Sequence, residues 1–320
     1  MSTGPSVEQH PLVSVIIPCH DVGDYIAASL RSALAQTHPH VEIIVVNDRS
    51  SDHTQSEVER VQQQEPGRIQ LVQATGKGAG AARNTGLRRS RGAWIQFLDA
   101  DDRLLPDKIA GQMALVRSQD VAIVVGDYLK EFPDGTTELE TALYDTPWMG
   151  LVSTRLGTTS ANLWERGALE QVGGWDERLA SSQDYDLAFR LLKHGARVAY
   201  ASSARTVVHK RPTGSISRTD TNNNWVRYIE LRADIRQHLA ALDPVAHEAE
   251  IRTADAFMYM GMHQLAMSDV HAAADMYRRY LPAGYVPASY SRPHRMAQRV
   301  LGFTGGMCLM RALRAFRSTS

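Results

Sequence analysis

Three acidic clusters carry the side chains best suited to chemistry: Asn47-Asp48, Asp99-Ala100-Asp101-Asp102 and Gln183-Asp184-Tyr185-Asp186. One acidic loop alone is ordinarily a solvated turn. These clusters, however, end apolar runs or open a helix, and strand-terminal carboxylates of an open α/β sheet face a common crevice. The Asp99-x-Asp101 spacing suits a hard divalent cation, Mg²⁺ or Mn²⁺. Two oxygens from one tight turn can hold the ion and leave positions open for phosphate oxygens and water. No Cys or His cluster stands nearby, which argues against zinc. Gly76–Gly80 is not a P-loop, because no Gly-Lys-Ser/Thr closes it.

The elements that must position these groups follow from hydrophobic pattern. Val13–Pro18, Val41–Val46, Ile69–Val72 and Trp94–Leu98 are short β-branched or apolar runs that predict buried strands. Between them, Tyr25–Gln36, Thr54–Gln64 and Ala81–Arg88 are helix-compatible. This alternation predicts βαβ units, a mostly parallel sheet and right-handed crossovers. Residues 133–160 read as loops and short strands, and Ser182–His194 as a helix. Val198–Ser202 and Thr206–His209 are expected to close the sheet. Arg211-Pro-Thr-Gly-Ser is the best candidate boundary. Beyond it the chain is helical from Trp225 to about Tyr280, broken near Leu242-Asp-Pro, with a helical hairpin over Met258–Tyr280. The expected organisation is a disordered segment over 1–10, an α/β catalytic domain over 11–220 and a helical region over 221–320.

Composition excludes several classes. The chain has 320 residues, 35 Lys+Arg against 35 Asp+Glu, and 43% hydrophobic residues, so wholesale disorder is excluded. Zero net charge argues against a nucleic-acid binder. With only Cys19 and Cys308 there is no disulfide scaffold. No apolar run reaches the roughly 18 residues that span a bilayer. The polar N-terminus is not a secretory signal, so the expected compartment is the cytoplasm. Charge is nevertheless uneven: eight arginines and no acid follow Asp275. Arg292, Arg295 and Arg299, then Arg311, Arg314 and Arg317, recur at helical spacing beside Met307, Leu309, Met310, Leu313 and Phe316. Such a basic amphipathic tail either lies on an anionic membrane as a peripheral contact or packs on the protein with a solvated Arg face.

The stretches VSVIIPCHDVGDYI, VEIIVVNDRSSDHT, GAGAARNTGLRRSRGAWIQFLDADDRLLPDKI and GGWDERLASSQDYDLAFRLLKHG, in this order, resemble family 2 glycosyltransferases over about residues 12–218. The resemblance implies the GT-A fold and a metal-dependent, inverting transfer of a hexose from a nucleotide-sugar, a UDP-sugar above others. The acceptor would be a hydroxyl on a glycan or lipid carrier, in building a lipopolysaccharide, capsule or exopolysaccharide. By the same resemblance, Pro18, Asp48, Arg83 and Asp99 bind the donor, with Asp48 reading the pyrimidine base and ribose. Asp99 leans toward ribose or metal, and Asp101 is the main metal ligand. Asp184 is the catalytic base. Trp175, Asp176 and Gln183 lie at the sugar or acceptor pocket, and His209 and Arg211, with Ser215-Ile216-Ser217, at a loop over the diphosphate. For Arg83 a salt bridge to the acidic loop is the competing role, and for Trp175 a place in the core. Asn47 and Gln183 stand where relatives carry Asp and Glu. No Gln-x-x-Arg-Trp motif occurs, which the resemblance ties to addition of one or a few sugars. The competing readings are a phosphoryl- or nucleotidyl-transfer enzyme on the same carboxylates, lacking a lysine-bearing phosphate loop, and a degenerate nucleotide-sugar binder or scaffold.

Overall fold

The computed structural model describes residues 10–142, 145–211 and 220–318, with side chains to 312. The expected disordered segment up to residue 9, the candidate boundary beyond its Arg211 (Pro212-Thr213-Gly214-Ser215) with Ser215-Ile216-Ser217, and the side chains of Leu313, Arg314, Phe316 and Arg317 lie outside the described residues. Two units are resolved: Met1–Pro147 with Thr154–Gly214, and Trp148–Ser153 with Ser215–Ser320.

In the first unit, β1 (Val13–Cys19) and β2 (Val41–Asn47) are β-branched runs buried on both faces, as central parallel strands require. The helix α1 (Gly23–Leu34) buries Ile26, Leu30 and Ala33 at helical spacing, and α2 (Thr54–Gln64) buries Val58 and Val61. These side chains join Val15, Ile17, Ile43 and Val45 in one apolar cluster. With β3 (Ile69–Gln73), β4 (Trp94–Phe97), β6 (Ile123–Gly126), β9 (Leu163–Glu165) and β10 (Val198–Ala201), the sheet runs β10-β6-β9-β4-β1-β2-β3. All pairings are parallel except those of β9 with β4 and β6. The expected mostly parallel sheet is therefore present, with one short antiparallel strand inserted.

A second sheet was not legible in the pattern. It has the order β5-β11-β7-β8, from β5 (Arg103–Leu104), β7 (Tyr128–Glu131), β8 (Thr137–Glu140) and β11 (Thr206–His209). Of the two strands expected to close the main sheet, Val198–Ala201 does so. Thr206–His209 instead pairs antiparallel with Arg103–Leu104, which hangs His209 above the Asp99–Asp102 turn.

The helix α3 (Ala79–Arg89) follows the glycine turn and crosses β1 closely. A Cβ on Gly86 would come 2.3 Å from Ile16 Cγ2 and 3.2 Å from Val46 Cγ2. Gly86→Ala is expected to destabilise the protein by about 1–3 kcal/mol through overpacking. This would read as a lower urea midpoint at unchanged slope; an unchanged midpoint would show that α3 can move away at no cost.

Along the chain, α4 (Lys108–Ser118), α5 (Pro147–Val152), α6 (Arg166–Gln171) and α7 (Gln183–Lys193) precede the helices of the second unit. These are α8 (Thr221–Leu242), α9 (Glu248–Ala266), α10 (Val270–Tyr280) and α11 (Arg292–Ser318). The expected hairpin is formed by α9 and α10, with the Asp269 side chain capping α10 by accepting from Ala272 N–H. Its core gathers Met258, Tyr259, Met262, Tyr277 and Phe303. Trp148–Ser153 belongs to this unit: buried Arg232 donates to Val152 O (3.1 Å). Among the described residues no helix is long and apolar enough to cross a membrane.

Candidate active site

The predicted site residues lie at the end of the sheet where β4 leaves β1. Cys19 O accepts from Asp48 N, and Ile16 O accepts from Leu98 N, each at 2.9 Å. Backbone groups alternate along a strand, so Pro18, in step with Ile16, turns its nitrogen toward β4. That strand has already ended at Phe97, and the missing N–H removes no ladder bond.

At the end of β2, Asp48 is buried, and its Oδ2 accepts from Gly78 N (2.6 Å), tying the strand to the glycine turn. Its Oδ1 accepts from Arg49 Nη1 (2.7 Å). Asn47 closes its own loop: Oδ1 accepts from Ser50 N (3.0 Å) and Nδ2 donates to Gln55 Oε1 (3.3 Å). An aspartate could accept the first bond but not donate the second.

The Asp99–Asp102 turn is held from below. Asp99 N donates to Ser160 Oγ (3.0 Å), and Ser160 Oγ donates to Asp102 Oδ2 (2.6 Å). Asp102 Oδ1 accepts from His209 N (3.1 Å). Ser160 O in turn accepts from Gln96 Nε2 (2.9 Å), and Gln96 Oε1 accepts from the fully buried Lys108. Lys108 also donates to Asn162 O (3.3 Å), and burial lowers its pKa well below that of a free amine. Sequence reasoning missed Ser160, Gln96 and Lys108 as supports. The available signal was a polar run, Thr159-Ser160-Ala161-Asn162, entering an apolar strand.

Three carboxylates crowd this turn, and the directions in which Asp101 and Asp102 shift record it. Burial and then Asp99 raise the Asp101 pKa, with Arg211 opposing. Burial, then Asp99 and Asp101, push Asp102 well above the carboxylate range. Two arginines offset the charge. Arg83 Nη2 donates to Asp99 Oδ1 (2.7 Å), and Arg211 Nε lies 2.8 Å from Asp101 Oδ2. The Arg211 guanidinium also lies 5.6 Å above the Tyr25 ring, which packs 5.4 Å from His209. His209 itself contacts Glu131 Oε2 (3.2 Å).

Arg83 links the acidic turn to α7. Its Nη1 donates to Gln183 Oε1 (2.9 Å), across 100 residues of sequence. Asp184 is the next residue of that first helical turn; burial raises its pKa and Arg83 opposes the rise. Its Oδ1 accepts from Tyr185 N (3.0 Å). Asp186 pairs with Arg190 one helical turn on (2.8 Å), apart from Asp184.

The structure places Trp175 in the core and pairs Asp176 with a local arginine. Trp175 is buried, edge-on to Phe97 at 5.1 Å, with the Arg83 guanidinium 4.5 Å over its ring. The core position prevails over sugar stacking, because Arg83 already covers that aromatic face. Asp176 closes a local turn with Arg178, accepting from its backbone N (3.0 Å) and Nη2 (2.7 Å), and its pKa is lowered to about 2. Asn84 clamps this segment. It donates to Trp175 O (2.8 Å), and its Oδ1 accepts from Trp175 N (2.9 Å). Gly174, at φ +70°, is needed here: a Cβ would lie 2.5 Å from Asn84 Oδ1.

Among the described residues no three Asp, Glu, His or Cys side chains are gathered into a cation cage. The donor chemistry still suits a hard cation. Asp99 and Asp101 offer hard oxygens, and the raised Asp101 and Asp102 values mark negative charge that a cation would offset.

Solved structures share the fold. TarS from S. aureus, in complex with UDP-GlcNAc, superposes with a TM-score of 0.61 at 16% identity, over 95% of this chain and 92% of that one. The mannosyltransferase PcManGT from Pyrobaculum calidifontis, in complex with GDP-Man and Mn²⁺, gives 0.54 at 19% identity, over 95% and 88%. Among sequence relatives, the succinoglycan biosynthesis protein ExoO of Rhizobium meliloti is 33% identical across 67% of this chain and 65% of its own length. The Escherichia coli UDP-Glc:alpha-D-GlcNAc-diphosphoundecaprenol beta-1,3-glucosyltransferase WfgD is 36% identical across 37% and 46%. The chain thus spans less than two thirds of the length of these relatives. Residues 14–166 match the family model described as Glycosyl transferase family 2, and residues 94–239 match Glycosyl transferase family group 2. On these matches the chain belongs to glycosyltransferase family 2.

Proposed function

We propose that this protein is an inverting glycosyltransferase that moves a hexose from a UDP-sugar to a hydroxyl of a lipid-linked glycan. It would act at the cytoplasmic face of a membrane in cell-surface polysaccharide assembly. The observation that carries the reading is the Arg83 bridge: one guanidinium joins Asp99 at the end of β4 to Gln183, beside Asp184. Donor-side carboxylates and a single base thereby share one crevice. The relatives named above support polysaccharide assembly, and the diphosphoundecaprenol acceptor in WfgD's name supports a lipid carrier.

In this reading Asp48 receives the base and ribose, beside the backbone of the glycine turn. Asp99 and Asp101 would hold Mg²⁺ or Mn²⁺, which when bound neutralises the leaving diphosphate. Arg83 and Arg211 supply further positive charge on that side. Asp184 takes the proton of the acceptor hydroxyl as its oxygen attacks the anomeric carbon opposite the nucleotide; the sugar–phosphate bond breaks and UDP leaves with the electron pair. The departures at Asn47 and Gln183 are absorbed locally: Asn47 caps its own loop, and Gln183 still accepts from Arg83. The direct test is UDP release from a panel of UDP-sugars with glycan acceptors, with product configuration read by NMR. Inversion supports the reading. Retention, or a folded protein that neither binds nucleotide nor releases it, overturns it.

The pH profile follows from burial. A base works only when deprotonated, so kcat/KM falls as pH drops through the raised pKa of Asp184. Arg83 favours the carboxylate form. Arg83→Met is therefore expected to move the acid limb to still higher pH, whatever it does to the maximal rate. The midpoint of log kcat/KM against pH reads this; an unmoved or lower midpoint would separate Arg83 from the titrating base.

A further inference from the structure

The helix α11 breaks at Gly302 (φ 67°, ψ −179°), and the segment before the break is two-faced. His294 and Gln298, one turn apart, are buried. On the opposite side stand Arg292, Met296, Arg299 and Val300, at i, i+4, i+7 and i+8. Met296 is 58% exposed and Val300 72%, and Arg292 and Arg299 are exposed beside them. At the break Leu301 is 50% exposed, and beyond it Leu309 is 41% exposed next to exposed Arg311. Arg295 is spent elsewhere, donating to Ala288 O (2.6 Å) and Tyr290 O (2.7 Å). Single exposed apolar residues need no explanation. Here they form a row between cations, on a stretch with no acid after Asp275.

We propose that this face of α11 docks the protein on an anionic bilayer, Met296 and Val300 entering the interface while Arg292 and Arg299 meet lipid phosphates. Charge complementarity selects this partner: the face offers positive charge without a compensating acid, and an anionic headgroup layer supplies the opposite sign around an apolar boundary. The inference deepens the reading of a lipid-linked acceptor and rests on it for its purpose, but the docking is measurable without any transfer reaction.

The test is co-sedimentation of the full chain with phosphatidylcholine vesicles, with and without phosphatidylglycerol. Binding is expected only with phosphatidylglycerol and is expected to weaken with added salt. Arg292→Gln with Arg299→Gln should lower the partition by about thirtyfold at the usual contribution of a basic residue near an anionic surface. Met296→Ser with Val300→Ser should lower it as well, with circular dichroism and melting unchanged in both double variants. Equal binding to neutral vesicles, no binding to anionic ones, or variants that bind like the wild type would overturn the proposal. So would loss of self-association, instead of vesicle binding, in the variants, which would make this face a contact between copies. Transfer to a short-chain, water-soluble acceptor separates the two readings. If vesicle binding fails while transfer persists, the docking is wrong; if transfer fails while docking persists, the enzymatic reading is wrong.

Discussion

Asp184→Asn is expected to lower kcat by about 10³-fold, the usual contribution of a positioned general base, while donor binding stays as in the wild type. Asparagine preserves the shape of the side chain and can still accept from Tyr185 N through its amide oxygen, so the first turn of α7 is not expected to unfold. It cannot take the acceptor proton. In the proposed function the donor contacts lie elsewhere, on Asp48, Asp99 and the arginines, which is why a split between kcat and donor affinity would identify a base and not a structural loss. Initial rates together with calorimetric titration of UDP make the measurement. A variant that keeps full transfer activity would remove Asp184 from the role.

Asp101→Ala and Arg211→Gln are expected to move cation binding in opposite directions. The Arg211 guanidinium and the Asp101 carboxylate are paired with less than a fifth of either side chain exposed. A cation binding at Asp101 must therefore displace a charge-assisted contact. Asp101→Ala should abolish Mn²⁺-dependent binding of nucleoside diphosphate. Removing the Arg211 charge should tighten binding of Mn²⁺ alone by about tenfold, the scale of one such contact, while weakening binding of the diphosphate. Paramagnetic resonance of free Mn²⁺, without nucleotide, reads the first quantity and calorimetry the second. Neither depends on turnover. Unchanged Mn²⁺ affinity in Arg211→Gln would show that the arginine and the ion do not compete, and retained metal-dependent binding in Asp101→Ala would move the cation off this carboxylate.

Burial of Asp101 and Asp184 works to different ends in these two experiments. At Asp101 the raised pKa comes with a second carboxylate close by, so the site gains by admitting positive charge. At Asp184 burial dominates the rise and Arg83 is the leading opposing influence, so the neighbouring cation favours the carboxylate form that burial disfavours. Under the proposed function, these two aspartates would be set to different tasks by their neighbours, not by their own chemistry.

Local pattern by itself determined a good deal of this protein. Val13–Pro18 and Val41–Val46 are β-branched runs too apolar for anything but central strands, and the spacing of Ile26, Leu30 and Ala33 leaves one helical face to cover them. Those elements, their alternation and the carboxylates at their ends were legible because periodicity and strand-end position are properties of neighbouring residues. The partners of those carboxylates were not. Arg83 meets Gln183 from 100 residues away, Ser160 reaches Asp102 across 58, and Thr206–His209 leaves the main sheet to pair with Arg103–Leu104. Trp175 could have been a sugar platform or a core residue on its sequence alone; only the arrival of Phe97 and Arg83 on its ring decided it. Such contacts depend on which surfaces the packed helices and sheets bring together, and a short-range pattern carries no record of distant partners.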